Sequence, residues 1–298
     1  MAYNTLKIFF SILTSSVALG ASCCGGGVGG QSLILNDALV KYSYSYSNTT
    51  YLEDVDAQRN QVARTKSGFE VKEIFSFGYA RGFSSYQQIG TEINAVKITK
   101  GEGGNSKSKD NIGDLKLFYG YEFLPEIYYS AWKPRGFLSL SLNIPLGKSK
   151  YDYETTAGED ISGSGFYSLS LASTMIKTIN RHQITFSLGF LKSFPKYTDK
   201  GKVDRSLGYN TSVSYGLSSV FNLFDFSTSV GRDMAGRDEI NKVSSSDSYE
   251  TYFTIGLSHE INESNTIVLT YKDSANISGQ KNTSTYKLLS LNYLHYSF

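Results

Sequence analysis

Apolar and small polar residues alternate one by one along most of this chain of 298 residues. In one such segment, Tyr42, Tyr44 and Tyr46 alternate with Ser43 and Ser45. Successive side chains of a β-strand point to opposite faces, so a period of two predicts strands with one apolar and one polar face. The pattern recurs in about twelve segments and therefore predicts an all-β chain.

The predicted strands lie near 38–47, 75–80, 89–94, 114–123, 138–144, 167–172, 184–190, 209–217, 224–230, 253–258, 267–272 and 289–298. The last strand is the least regular, because apolar side chains occur on both of its faces. We assign its final set, Leu294, Tyr296 and Phe298, to the apolar face. A terminal aromatic residue after such an alternation resembles the signal that the outer-membrane assembly machinery reads on barrel proteins.

Long polar segments alternate with shorter ones between these strands. The long segments lie at about 48–68, 100–111, 148–163, 192–206, 231–248 and 273–284. The shorter ones lie near 80–83, 124–135, 177–182, 218–223 and 260–265. An even number of strands with this asymmetry is typical of outer-membrane barrels, whose long loops face the outside and whose short turns face the periplasm. The turn at 124–135 is longer than usual and could hold a short helix.

A soluble β-sandwich or propeller would also alternate, but composition favours the barrel. The chain has 23 Tyr and 18 Phe, and the faces opposite them carry mainly Ser, Thr, Gly and Asn. A soluble sheet usually solvates its polar face with more Lys and Glu. Beyond the N-terminus, no apolar run approaches the roughly 18 residues that a spanning helix needs. We therefore predict an antiparallel up-and-down transmembrane β-barrel of about twelve strands over 37–298, in the outer membrane.

The N-terminus resembles a secretory signal peptide over 1–22. Lys7 supplies the positive charge, an apolar stretch follows, and small residues precede the adjacent Cys23 and Cys24. The segment 23–36 is then a flexible glycine-rich leader. Cys23 is a candidate for lipidation, although Gly20 stands where an apolar residue is expected. The alternative to lipidation is that Cys23 and Cys24 are simply two thiols in the leader.

Short glycine-based motifs resemble one family of transporters. They are Ile112-Gly113-Asp114-Leu115 with the following Leu124-Pro125-Glu126, Pro145-Leu146-Gly147, and Gly163 with Gly165-Phe166. They are similar to motifs of the outer-membrane transporters named after the MetA pathway of phenol degradation, which are related to the fatty-acid transporter barrels. The resemblance covers roughly 69–298. It implies passive movement of small, hydrophobic or aromatic molecules, without the sizeable N-terminal plug of the fatty-acid transporters.

The lumen is the candidate functional region. If the aromatic faces look at lipid, small hydroxyl residues line the inside and predict a narrow wet channel. The candidate lumen-lining residues are Lys72, Glu92, Asn94, Lys116, Glu122, Ser141, Asn143 and Asn210. The four charged residues among them are expected to cluster on the second to fourth strands. They could bias the choice of solute, as charged rings do in channels, or simply pair and fill the space.

Few residues support metal binding, enzymatic hydrolysis or nucleic-acid binding. The three histidines, His182, His259 and His295, lack metal-ligand spacing, and we expect neither a metal site nor a cofactor. His295 and Ser297 stand two apart on one strand face, as in outer-membrane lipid hydrolases, but at the periplasmic end, where such an enzyme would not meet its substrate. The formal net charge of +2 argues against nucleic-acid binding.

The expected function is that of a monomeric pore or transporter without enzymatic activity. Its partners would be outer-membrane lipid, the barrel assembly machinery and a small-molecule solute. The main alternative is a non-transport surface barrel, an adhesin or structural protein, that binds partners through the loops at 48–68 and 231–248. A lipid hydrolase built on His295 and Ser297 is the remote alternative.

Overall fold

The computed structural model describes residues 38–64, 68–102, 105–152, 154–155, 158–198, 201–220, 223–240 and 243–298. The predicted signal peptide at 1–22, the leader at 23–36 and Cys23 lie outside the described residues.

Twelve antiparallel strands form one sheet that closes on itself. The barrel strands are β1 (Val40–Val55), β2 (Glu70–Ser84), β3 (Gln87–Glu102), β4 (Asn105–Leu124), β5 (Arg135–Ile144), β6 (Ser168–Ile179), β7 (His182–Ser193), β8 (Gly208–Val220), β9 (Phe224–Ala235), β10 (Ser248–Asn262), β11 (Asn265–Asp273) and β12 (Thr283–Ser297). Neighbours in the chain are neighbours in the sheet, and β12 pairs with β1 to complete the circle. The predicted up-and-down barrel is confirmed.

The apolar face of the alternating pattern points outward. Tyr44, Phe77 and Leu140 are exposed on the outer surface, whereas Ser139 and Ser141 on the same strand as Leu140 are buried inside. A closed barrel leaves no strand edge unpaired, so a barrel with an apolar outer band can span a bilayer. The chain is thus a barrel of the outer-membrane type. No helix in the described part of the chain is long and apolar enough to cross a membrane.

The last strand differs from the assignment made from its sequence. Leu294 and Tyr296 are buried and point into the lumen, while Leu291 and Tyr293 are exposed on the outer face. Both faces of β12 are apolar for different reasons. The outer face lies on the exposed surface of the barrel, and the inner face packs against other apolar side chains inside it. Phe298 follows the end of the strand and is exposed.

Outside the β3–β4 hairpin, long and short connections alternate as predicted, and two of the predicted long segments are largely strand. β1 continues to Val55, so the first loop starts only after it, and β3 and β4 run almost continuously through 100–111 as one long hairpin. Polar residues there belong to strands that extend beyond the apolar band. The connection at 125–134 is irregular and contains no helix.

Five further short strands lie at the extracellular end of the barrel. Gln61–Ala63 pairs with β1. The other four, Lys196–Thr198, Gly201–Arg205, Asp238–Ile240 and Val243–Ser244, form a small sheet from the loops that follow β7 and β9. We call this sheet the extracellular cap.

Candidate functional site

The periplasmic end of the lumen opens into a vestibule. This cavity has a volume of about 1120 Å³, and its walls include Arg81, Gln88 and Phe298. Glu122 also faces it and accepts a hydrogen bond of 2.8 Å from Nε of Arg135 on the neighbouring strand. The predicted lumen residue Glu122 therefore belongs to an ion pair at the periplasmic mouth.

An apolar layer lies in the lumen above the vestibule. It consists of Ala38, Ala80, Phe118, Val268, Leu294 and Tyr296, all buried. Gly90 makes room for the Phe118 ring, since a Cβ atom at Gly90 would lie 2.2 Å from Cζ of Phe118 and 2.4 Å from the backbone oxygen of Tyr79. The ring thus lies across β3, toward Ala80.

The middle of the lumen is packed with small polar side chains. Ser141 and Ser170 are each about 5 % exposed and share a short hydrogen bond between their hydroxyl oxygens. At the same level of the barrel, Lys41 and Glu92 line a cavity of about 30 Å³, which has room for one or two water molecules. The cavity is small because Phe118 and Leu294 line it together with the polar side chains. The narrow wet channel stays a prediction.

The four predicted charged residues do not form one cluster. Glu92 and Lys116 stand directly opposite each other on β3 and β4. Lys72 stands opposite Ile98, six residues along β3 from Glu92, which is roughly 20 Å at the strand rise. Glu122 lies a similar distance from Lys116 in the other direction. The expected cluster is therefore reduced to one cross-strand pair.

The three predicted asparagines face the lumen in different settings. Asn94 lies at an irregularity in the pairing of β3 and β4, and its buried Oδ1 has no hydrogen-bond partner. Oδ1 of Asn210 is likewise buried and unpartnered. Asn143 donates a hydrogen bond of 2.9 Å from Nδ2 to Oδ2 of Asp114.

A charged aromatic cluster, absent from the sequence prediction, occupies the upper lumen. Nζ of Lys272 lies 3.1 Å from Oε1 of Glu250, 4.0 Å from Oδ2 of Asp233 and 3.7 Å from the centre of the Tyr252 ring. The hydroxyl of Tyr286 donates to Glu250 as well. Asp233 was missed because its segment reads as a polar loop, although it extends β9. The alternation does place Lys272 inward, so its position alone could have been predicted.

The loop at 145–167 is fastened to the rim of β4 by Asp114. Its carboxylate accepts hydrogen bonds from the backbone N–H of Gly147 (3.2 Å) and from the backbone N–H and hydroxyl of Ser164 (2.8 and 2.7 Å). A Cβ atom at Gly163 would lie 2.1 Å from Oδ1 of Asp114, so only glycine fits. The motifs around Asp114, Gly147 and Gly163 thus meet in space and dock this loop, whereas Leu124-Pro125-Glu126 lies at the periplasmic end.

The same loop is ordered by a buried carboxylate. Asp160 is fully buried, accepts a hydrogen bond of 2.7 Å from the hydroxyl of Thr155 and lies 3.6 Å from Nζ of Lys148. Burial alone would raise the pKa of Asp160, but these groups and the backbone N–H of Glu154 outweigh it and lower the pKa to about 2. The loop therefore keeps its charge pattern at neutral and mildly acidic pH.

Asp238 joins this loop to the extracellular cap. It accepts hydrogen bonds from Nε of Arg205 (2.6 Å) and from the hydroxyl of Tyr151 (2.6 Å), and Nζ of Lys150 lies 2.7 Å away. Burial would raise the pKa of the Asp238 carboxyl, but its three donors lower it to about 2. The guanidinium of Arg205 also lies 4.6 Å from the ring centre of Phe166.

His295 and Ser297 make their contacts with other residues. Nδ1 of His295 is 2.9 Å from Oδ1 of Asn265, and its ring stacks on Tyr42. Ser297 is exposed, and its backbone oxygen accepts a hydrogen bond from Leu39. Among the contacts of these described residues, none joins the imidazole to the Ser297 hydroxyl.

No family model and no curated protein matches this sequence, so the resemblance to the transporters named after the MetA pathway stays a prediction. Solved structures do match. An outer membrane channel from Pseudomonas putida F1 aligns over 89 % of this chain and 98 % of its own, with 10 % identity and a TM-score of 0.71. The beta domain of the Bordetella autotransporter BrkA aligns over 88 % of this chain and 100 % of its own, with 10 % identity and a TM-score of 0.52. At this identity the likeness concerns the fold, which is that of an outer-membrane β-barrel.

Proposed function

We propose that the protein is a passive outer-membrane channel for small molecules. One observation carries the proposal: four buried polar atoms on the lumen side have no hydrogen-bond partner among the described residues. They are Oδ1 of Asn94, Asn210 and Asp233 and Oγ1 of Thr254. Each such group costs about 1–3 kcal/mol unless water or a solute satisfies it. Unpaired polar atoms destabilise a barrel that serves only as a scaffold, whereas water or a polar solute in a lumen would satisfy them.

The solute class follows from the order of the layers. A solute entering from outside meets the charged aromatic cluster around Lys272. It then meets a section where buried serines lie beside the apolar layer that contains Phe118 and Tyr296. Small molecules with an aromatic or aliphatic part suit this sequence of surroundings better than sugars do. The structural likeness to an outer membrane channel agrees with this proposal.

The channel is proposed to work as a monomer inserted by the barrel assembly machinery. Every barrel strand, including β1 and β12, is paired on both sides within one chain. The barrel therefore needs no second copy to satisfy its edges. Phe298 is exposed at the C-terminus, where such machinery could reach it.

Widening the apolar layer tests the channel. We expect Phe118→Ala to raise single-channel conductance about twofold or more in planar bilayers, because the ring narrows the lumen. Flux into liposomes would be compared for small aromatic, fatty and sugar solutes. The matched control is Leu117→Ala, since Leu117 directly precedes Phe118 on β4 and faces outward. A heat-dependent gel shift verifies that each variant folds. Folded wild type and Phe118→Ala that both conduct nothing would overturn the proposal.

A non-transport surface barrel is the second candidate. The observation in its favour is that Asp238 joins two described residues of the loop at 145–167, Lys150 and Tyr151, to the extracellular cap. If this candidate were right, the folded wild type would carry no flux, and deleting 238–245 would abolish binding of a surface ligand.

A further inference from the structure

The connection between β4 and β5 stands apart from the other periplasmic turns. It spans 125–134, whereas the turns at 85–86 and 180–181 have two residues each. It exposes Ile127, Tyr128, Tyr129 and Trp132, with Trp132 92 % and Tyr128 85 % exposed. We call this segment the aromatic turn. Four large apolar or aromatic side chains in so short a segment are unusual on a surface that meets only water.

The aromatic turn is fixed by a lysine on the outer wall of the barrel. Lys177 stands opposite Ile184, which is exposed on the lipid-facing side, so Lys177 also faces outward. Its Nζ lies 2.7 Å from Oε1 of Glu126 and 2.9 Å from the backbone oxygen of Lys133, and it also donates to the backbone oxygen of Ser130. The part of the turn from Ser130 to Lys133 therefore bends outward toward β6, whereas its first residues border the vestibule.

These contacts also compensate the positive charge of Lys177. The Lys177 side chain is 14 % exposed, and its ammonium lies 5.3 Å from the centre of the Tyr129 ring. A bare lysine facing lipid would be costly, and here carbonyl oxygens, a carboxylate and an aromatic ring cover it. The cover itself presents Tyr128 and Trp132 outward.

The surroundings of the aromatic turn match the boundary between a membrane and water. Its outer side is continuous with the apolar band through Phe123 and Ile184, which are both exposed. Lys133 and Arg181 are exposed at the same rim and supply positive charge for phosphate groups. Tyr and Trp place an apolar ring and a polar atom at the same depth, which is why they concentrate where a membrane meets water.

We infer that the aromatic turn is an anchor in the headgroup layer of the periplasmic leaflet, where it binds phosphate-bearing glycerophospholipids. Trp132 and Tyr128 enter the boundary between headgroups and acyl chains, and Lys133 and Arg181 face the phosphates. Lys177 holds the turn at this depth. The anchor is independent of what passes through the lumen.

Trp132 is the only tryptophan of the chain, so its fluorescence reports on the aromatic turn alone. The test uses the folded barrel in liposomes of phosphatidylethanolamine and phosphatidylglycerol. We expect lipids brominated near the headgroup end of the acyl chain to quench Trp132 about twofold more than lipids brominated near the chain end. We expect aqueous iodide to quench it several-fold less than it quenches free tryptophanamide. Full quenching by iodide and none by either lipid would place the turn in periplasmic water and overturn the inference.

Variants test the role of Lys177. Lys177→Met keeps the aliphatic stem but loses the three oxygen contacts, so we expect iodide quenching of Trp132 to rise about twofold or more. The control is Lys97→Met, because Lys97 points outward near the other end of the barrel, where it lies 3.7 Å from Glu73. A Lys177→Met protein that folds and keeps the wild-type quenching profile would show that Lys177 does not set the depth of the turn.

Discussion

Gly90 governs how the lumen packs at the level of the apolar layer. A Cβ atom there would approach both the Phe118 ring and the backbone oxygen of Tyr79. The ring could rotate away, but the backbone of the neighbouring strand could not. Gly90→Ala is therefore expected to lower the free energy of unfolding by about 1–3 kcal/mol, as overpacking does. Urea unfolding in detergent micelles measures this loss.

Gly82 provides the matched control for Gly90. It lies on the neighbouring strand, and a Cβ atom there would come no closer than 3.7 Å to another residue. Gly82→Ala should leave the unfolding midpoint nearly unchanged. Equal destabilisation by both substitutions would mean that a general cost of replacing glycine, and not the space taken by Phe118, explains the effect.

Asp238 makes the extracellular cap sensitive to acid. Because its pKa falls from the ordinary 3.8 to about 2, its ionised form stabilises the folded cap, and this contribution is complete above the ordinary value. The contribution is lost as the pH falls through about 2. We expect pepsin to cleave the cap of the wild type slowly near pH 4 and much faster near pH 2.

Asp238→Asn removes this dependence. The amide cannot carry the charge that Arg205 and Lys150 approach, so the cap should already be loose near pH 4, with a loss of about 2 kcal/mol. A variant cleaved with the same pH profile as the wild type would contradict the role of Asp238.

At the scale of elements, the docking of one loop depends on one carboxylate on β4. Asp114 accepts hydrogen bonds from Gly147, Ser164 and Asn143, each contributing about 1 kcal/mol. Asp114→Ala should release the loop at 145–167, and trypsin should then cleave after Lys148 or Lys150. Asp110→Ala, an exposed position on the same strand, is the control and should leave the digestion pattern unchanged. Resistance of Asp114→Ala to trypsin would show that other contacts hold the loop.

The elements also show what the sequence could and could not predict. Alternation identified the strands and their outward faces because each strand has a lipid side and a lumen side, which is a local property. On β12 it failed, since Leu294 and Tyr296 are apolar for packing inside the barrel and not for contact with lipid. It also took the ends of β1 and the β3–β4 hairpin for loops, because strands that extend beyond the bilayer lose their apolar face.

The candidate site was less predictable than the fold. Inward positions such as Glu92 and Lys116 follow from alternation, but their distance from Lys72 depends on strand register, which the pattern does not contain. The grouping of Asp233, Glu250 and Lys272 depends on register across three strands. Residues that meet only through register cannot be grouped from one sequence.

At the scale of the whole molecule, the lumen has its charges and its constriction at different heights. The Phe118 layer lies toward the periplasm, and the cluster of Lys272, Glu250 and Asp233 lies toward the outside. Size selection and charge selection can therefore be altered separately. If the protein conducts, a change at Lys272 should affect which ions pass without widening the constriction.

Lys272→Met tests this separation. Methionine keeps an unbranched four-atom stem and removes the ammonium group, which leaves the carboxylates of Glu250 and Asp233 without a cation. Uncompensated carboxylates in a narrow lumen attract cations, so the reversal potential in a salt gradient should shift toward cation selectivity at nearly constant conductance. Lys192→Met is the control, because Lys192 is an exposed cation on the outer face of β7. An unchanged reversal potential in folded Lys272→Met would mean that ions do not pass this cluster, and that the conducting path runs elsewhere.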